Sequence, residues 1–142
     1  MTAKEYLSQI QKYRRLMKSL EEQSEALRVE LAGLKAITYD KDKVQVTPTN
    51  KIEELMPRLI DIEERYGEMI FKYHTAILVR TEQINSLESS HAKILTLRYV
   101  EGKRWEQIAI ELHYSYRNTT RLHGKALAAF ARKYKRVLEC PI

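Results

Sequence analysis

The chain has 142 residues, of which 31% are charged and 8% aromatic, with four glycines, three prolines and one cysteine. The formal charge of +6 is concentrated in residues 91–142, which hold eleven basic and four acidic side chains, beside a mildly acidic stretch at 51–90. No run approaches the roughly 18 apolar residues of a membrane span, and Cys140 alone cannot close an internal disulfide.

The opening Met1-Thr2-Ala3-Lys4-Glu5 lacks the apolar core of a secretory signal, so a cytoplasmic protein without a membrane partner is expected. Thr2-Ala3-Lys4-Glu5 has the spacing of a helix capping box. A heptad follows, with Ile10, Met17, Ser24 and Leu31 on one seam position and Tyr6, Tyr13, Leu20, Leu27 and Leu34 on the other. This predicts a helix of about 35 residues that needs a helical partner.

Thr38 to Thr49 breaks the pattern with β-branched residues, paired charges and Pro48, which reads as a loop at about 38–49. Helical spacing resumes at Asn50-Lys51-Ile52-Glu53, another capping-box pattern. Ile52, Leu55, Leu59, Ile62, Tyr66, Met69, Tyr73 and Ala76 form its stripe. Pro57 predicts either a start or a bend nearby. Two long helices joined by a short connection suggest an antiparallel hairpin, although such stripes also suit pairing between chains. Residues 1–88 therefore read as an oligomerisation region and 89–142 as a separate domain.

Past Glu88-Ser89-Ser90 the helices become short. His91 to Val100 reads as one helix, Glu101-Gly102 as a turn, and Arg104 to His113 as a second helix carrying Trp105, Ile108, Ala109 and Leu112. Ser115 is the expected N-cap of a last helix from about Tyr116 to Leu138, with Leu122, Ala126, Leu127 and Phe130 inside. A short helix, a turn and a longer basic helix form a helix-turn-helix pattern. Helical spacing then places Tyr116, Arg117, Thr120 and Arg121 on the outer face of the last helix. Arg117 and Arg121 have the reach for guanine edges, while Tyr116, Asn118 and Thr120 suit bases or phosphates. The Ser115 cap leaves backbone N–H groups pointing at a phosphate. Lys103, Arg104 and Lys125 are expected beside the backbone.

The run Ile94-Leu95-Thr96-Leu97-Arg98-Tyr99-Val100-Glu101-Gly102, with Trp105-Glu106-Gln107-Ile108-Ala109, Leu112, Ser115 and Lys125-Ala126-Leu127, resembles sigma factor region 4. It is closer to phage-encoded regulators of the ArpU/RinA type and to phage proteins that join this module to an N-terminal helical hairpin. The specific part of the likeness covers about residues 91–130. It implies an all-α protein and base-reading roles for Tyr116, Arg117, Thr120 and Arg121, with Lys125 near the DNA backbone. Arg104 stands where such modules use a Ser or Thr cap, and Thr119 where they use Val or Ile. The chain lacks the region with which a complete sigma factor melts promoters, which implies a regulator.

Chemistry of other kinds has little to stand on. His74, His91, His113 and His123 lack metal-ligand spacing. Glu21-Glu22, Glu53-Glu54 and Glu63-Glu64 are adjacent on helices, hence on different faces. There is no phosphate-binding glycine loop. No enzyme activity, catalytic residue, metal or cofactor is expected.

The expected function is sequence-specific binding of double-stranded DNA in transcription regulation of phage or prophage genes, in the cytoplasm of a bacterial host. A homodimer through the N-terminal helices is expected to raise affinity. One alternative is a packaging protein resembling a terminase small subunit, marked by a ring-sized oligomer. Another is an adaptor that binds RNA polymerase through the Trp105 and Tyr99 neighbourhood and has little DNA affinity.

Overall fold

The computed structural model describes residues 1–38 and 48–140, and all regular structure among them is helical. The chain is an all-α protein. Two long helices, α1 (Ala3–Thr38) and α2 (Pro48–Asn85), precede α3 (Ser89–Leu95), which widens into a π-helical turn at Thr96–Val100. Then come α4 (Trp105–Leu112), α5 (Tyr116–Lys133) and α6 (Lys135–Glu139). Positions 39–47 of the expected loop lie outside the described residues. No described helix is long and apolar enough to cross a membrane.

The helix starts follow from local chemistry. At the head of α1, the Thr2 N–H donates to Glu5 Oε2 at 2.7 Å and the Glu5 N–H donates to Thr2 Oγ1 at 3.2 Å. The first of these bonds, with the Thr2 hydroxyl donating to the same Glu5 Oε2 at 3.0 Å, holds the Glu5 carboxyl below its ordinary pKa. Helix α2 begins at Pro48, two residues ahead of the expected Asn50 cap, because proline's fixed φ suits a first turn. It runs on through Pro57, which is solvent-exposed.

Contacts divide the chain into two compact units: residues 1–13 with 73–142, and residues 14–72. The expected boundary at residue 88 thus falls inside the first unit, because the N-terminal turns of α1 and the end of α2 pack with the C-terminal helices. In the second unit the two long helices pair within the chain. Leu31, Leu55 and Leu59 are buried there, flanked by Leu27, Leu34 and Ile52. Arg28 forms an ion pair with Glu63, and Lys51 lies 3.9 Å from Glu30. Both pairs are exposed to water and salt, so they add little. The leucine seam supplies the larger share.

The first unit has the thicker core. Leu7, Ile84, Ile94, Leu95, Ile108 and Phe130 are all fully buried in it, each contributing roughly 1.5–3 kcal/mol of apolar burial. Phe130 is flanked by Tyr6 and Tyr134, with ring centroids at 6.0 and 5.0 Å. The glycine in the turn after the π-helical segment, Gly102, has φ 71°. There the Gln11 amide donates to the carbonyls of Tyr99 and Val100, at 2.9 and 3.2 Å. The single C-terminal helix expected to Leu138 is interrupted at Tyr134, with φ −111° and ψ 32°. Tyr134 meets Ser86 through its hydroxyl while Lys133 donates to the Ser86 carbonyl at 2.8 Å. These bonds tie the end of α5 to the end of α2.

Candidate nucleic-acid interface

Helix α4 starts after an extended Arg104, whose N–H donates to Gln107 Oε1 at 3.3 Å. The Arg104 guanidinium has no acceptor atom, so the return half of a capping box is not supplied. Helix α4 ends at His113, which adopts a left-handed conformation with φ 55°. The Tyr114 N–H reaches back to the Ala109 carbonyl at 3.0 Å, a bond that closes the helix end and turns the chain. Ser115 then caps α5, its Oγ accepting from the Asn118 N–H at 3.1 Å.

The turn fixes which face of α5 meets solvent. Thr119, Ala126 and Phe130 face inward, with Leu122 and Leu127 packed beside the core. On α4, Ile108 and Ala109 are buried and Leu112 packs against the same cluster. Thr119 satisfies its hydroxyl by donating to the Ser115 carbonyl at 2.9 Å, so the core accepts a threonine at this buried position. The remaining positions point outward. Ser115, Tyr116, Arg117, Asn118, Thr120, Arg121 and Lys125 are all exposed.

The charge on this face is unopposed. Helix α5 holds five basic residues and no acidic one. Among the described residues, none of Arg117, Arg121 and Lys125 enters an ion pair. Arg121 and Lys125 line a shallow notch with Tyr114, Asn118 and Leu122. Tyr114 was not among the residues expected from sequence, although its exposed ring next to Ser115 could have marked it. The Thr120 hydroxyl is turned to its own backbone, donating to the Arg117 carbonyl at 2.9 Å.

The two residues expected before α4 differ from this group. Lys103 is ion-paired with Glu111 and lies 3.5 Å from Glu101, and Glu111 raises its pKa. Its charge is already met within the protein. Arg104 is exposed at the start of α4, and among the described residues its guanidinium enters no ion pair.

Behind α5 lies a cluster of which sequence reading named Tyr99 and Trp105, as a surface for RNA polymerase, but not His123 or Arg98. The Tyr99 hydroxyl and His123 Nε2 are 2.8 Å apart, Trp105 meets the His123 ring edge-on at 4.5 Å, and the Arg98 guanidinium sits 4.5 Å over Trp105. Burial, with the cations of Arg98 and Lys4, pushes His123 down to about 4, and burial raises Tyr99 to about 12. Tyr99 is buried and Trp105 half-buried, so both are taken up in holding α4 and the π-helical turn against α5. His123 lies four residues from buried Thr119 and three from buried Ala126, a spacing that could have revealed it.

Among the described residues, no three His, Cys, Asp or Glu side chains are placed to hold a metal ion. The fold and this face describe an all-α protein whose last long helix presents a basic, carboxylate-free surface. Compared with known proteins, the chain matches no protein family, no curated protein and no solved structure.

Proposed function

We propose that the protein binds double-stranded DNA in a sequence-specific manner, with α4, the turn at His113–Ser115 and α5 acting as a helix-turn-helix, and that it regulates transcription of phage or prophage genes. The observation that carries this reading is the outer face of α5. Arg117, Arg121 and Lys125 stand exposed and unpaired there, with Tyr116 and Asn118 alongside, on a helix without carboxylates. Like charges one turn apart on a helix repel, by a small amount at an exposed face. A polyanion removes the repulsion.

The roles divide by reach. Arg117 and Arg121 are long enough to address guanine edges in the major groove, and Tyr116 and Asn118 to address bases or phosphates. Lys125 serves a backbone phosphate, and the capped N-terminus of α5 at Ser115 favours another. Two copies on neighbouring turns of one duplex would double this small contact area, so a homodimer belongs to the proposal, as does RNA polymerase as a partner in regulation.

The test is a titration against random and phage-genomic duplex fragments at about 50 and about 200 mM salt. Tight binding to a few fragments with a steep salt dependence is expected. Binding that is weak and indifferent to sequence would overturn the specific-regulator reading.

A further inference from the structure

From the DNA-binding reading, on which the following step rests, we infer that the sugar–phosphate backbone of a bound duplex crosses α5 at Gly124 and lies against the helix main chain there. Gly124 sits inside α5 with ordinary helical backbone, and a Cβ added to it meets nothing within 4 Å. Neither a turn nor internal packing calls for glycine. Glycine is the poorest helix former apart from proline, so the position weakens the helix for no benefit inside the protein.

The neighbours say what the benefit is. Gly124 lies two turns along the same outer line as Arg117, with Arg121 one turn before it and Lys125 next to it. Ala128 continues the line, exposed and small. Along this one line the long cations Arg117 and Arg121 give way to the small residues Gly124 and Ala128, with the Lys125 cation beside the gap. A helix whose first two turns enter a groove meets the bordering strand where it leaves, and there a side chain would hold the two backbones apart.

Two other glycines, Gly33 and Gly67, also sit on open helix surface. Glu30 lies one turn before the first, and Glu63 and Glu64 one turn before the second. Those carboxylates would repel a phosphate. At Gly124 the corresponding residue is Arg121.

The experiment compares Gly124→Ala, Gly124→Leu and Gly67→Ala with the unsubstituted protein. It reads melting temperature and affinity for a labelled random-sequence DNA duplex at two salt concentrations. Gly124→Ala is expected to melt ~3 °C higher while binding about tenfold more weakly, and Gly124→Leu to bind more weakly still. Gly67→Ala is expected to melt higher with affinity unchanged. The inference is overturned if both Gly124 variants bind like the unsubstituted protein, or if Gly67→Ala weakens binding equally. If the unsubstituted protein shows no salt-dependent binding to any duplex, the DNA reading itself falls and this inference with it.

Discussion

The Tyr99 hydroxyl lies 2.8 Å from His123 Nε2, joining the π-helical turn to the middle of α5. The contact fixes the helix that carries Arg117 and Arg121 from behind, and it does so with a histidine that stays neutral. Burial, Arg98 and Lys4 together lower His123 from 6.5 to about 4.

A pH dependence of stability follows, with a definite sign. The folded-state value lies below the unfolded one, so as pH falls the unfolded chain takes up the proton first. The neutral contact contributes in full above pH 6.5, and stability declines as pH falls from 6.5 to about 4. After discounting for partial exposure, the loss attributable to this group is about 1–2 kcal/mol. Urea unfolding of the unsubstituted protein and of His123→Gln, at about pH 7.5 and about pH 5, reads it. Glutamine keeps an acceptor for Tyr99 and cannot take the proton, so the variant should lose less stability on acidification. Parallel losses in the two proteins would show that the dependence arises elsewhere.

Gly102 and Gln11 form a second coupled pair. Gly102 holds φ 71°, and a Cβ there would come 2.9 Å from the Gln11 amide that serves the Tyr99 and Val100 carbonyls. Gly102→Ala is expected to cost about 1–2 kcal/mol from left-handed strain together with the displaced amide. Gln11→Ala alone should cost about 1 kcal/mol. The double variant should lose less than both single losses combined, because removing the amide also removes the clash. Thermal melts of the four proteins give the cycle, and strict additivity would rule out the coupling.

Much of this architecture was legible in the sequence, and the exceptions share a cause. Tyr6, Ile10, Ser24 and Leu31 are buried as the heptad requires, since one helix facing another buries one stripe. Leu7 falls outside the seam yet is fully buried, because the first turns of α1 meet the C-terminal helices as well as α2. Contacts so distant along the chain leave no periodic trace. The outward placement of Arg117 and Arg121 followed from 3.6-residue spacing against Ala126 and Phe130. The helix expected to end at His113 does end there, although that left-handed position carries neither glycine nor asparagine. The break at Tyr134 likewise carries neither Gly nor Pro; it is made by contacts with Ser86, 48 residues away. Nothing in the sequence marks Arg80 as buried, because residue type alone does not reveal a buried guanidinium.

Arg80 is only 7% exposed, with Nε donating to the Tyr6 carbonyl at 2.9 Å, a second nitrogen on Gln9 Oε1, and its guanidinium 4.0 Å from the Tyr6 ring centre. Burial lowers its pKa, and no carboxylate among the described residues pairs with it. Desolvation therefore offsets much of what these contacts contribute. Arg80→Met, which keeps the stem and drops the charge, should change stability by less than about 1 kcal/mol. Arg80→Ala, which also empties the site, should cost about 2–3 kcal/mol. Chemical unfolding distinguishes them; a methionine variant as damaged as the alanine one would mean that the charge itself is indispensable.

Substitutions on the outer face of α5 should separate reading from holding. Arg117→Ala and Arg121→Ala are each expected to lower discrimination between a preferred fragment and random duplex by about 1–3 kcal/mol. Both residues are exposed and unpaired, so melting temperature should hardly move. Lys125→Ala should weaken preferred and random duplexes alike and reduce the salt slope by about 1. Lys103→Ala should do much less, because Glu101 and Glu111 already meet its charge. Binding titrations of the four variants at several salt concentrations make the comparison. Equal weakening on every sequence by Arg117→Ala and Arg121→Ala would assign both arginines to the phosphates and move sequence preference away from this helix.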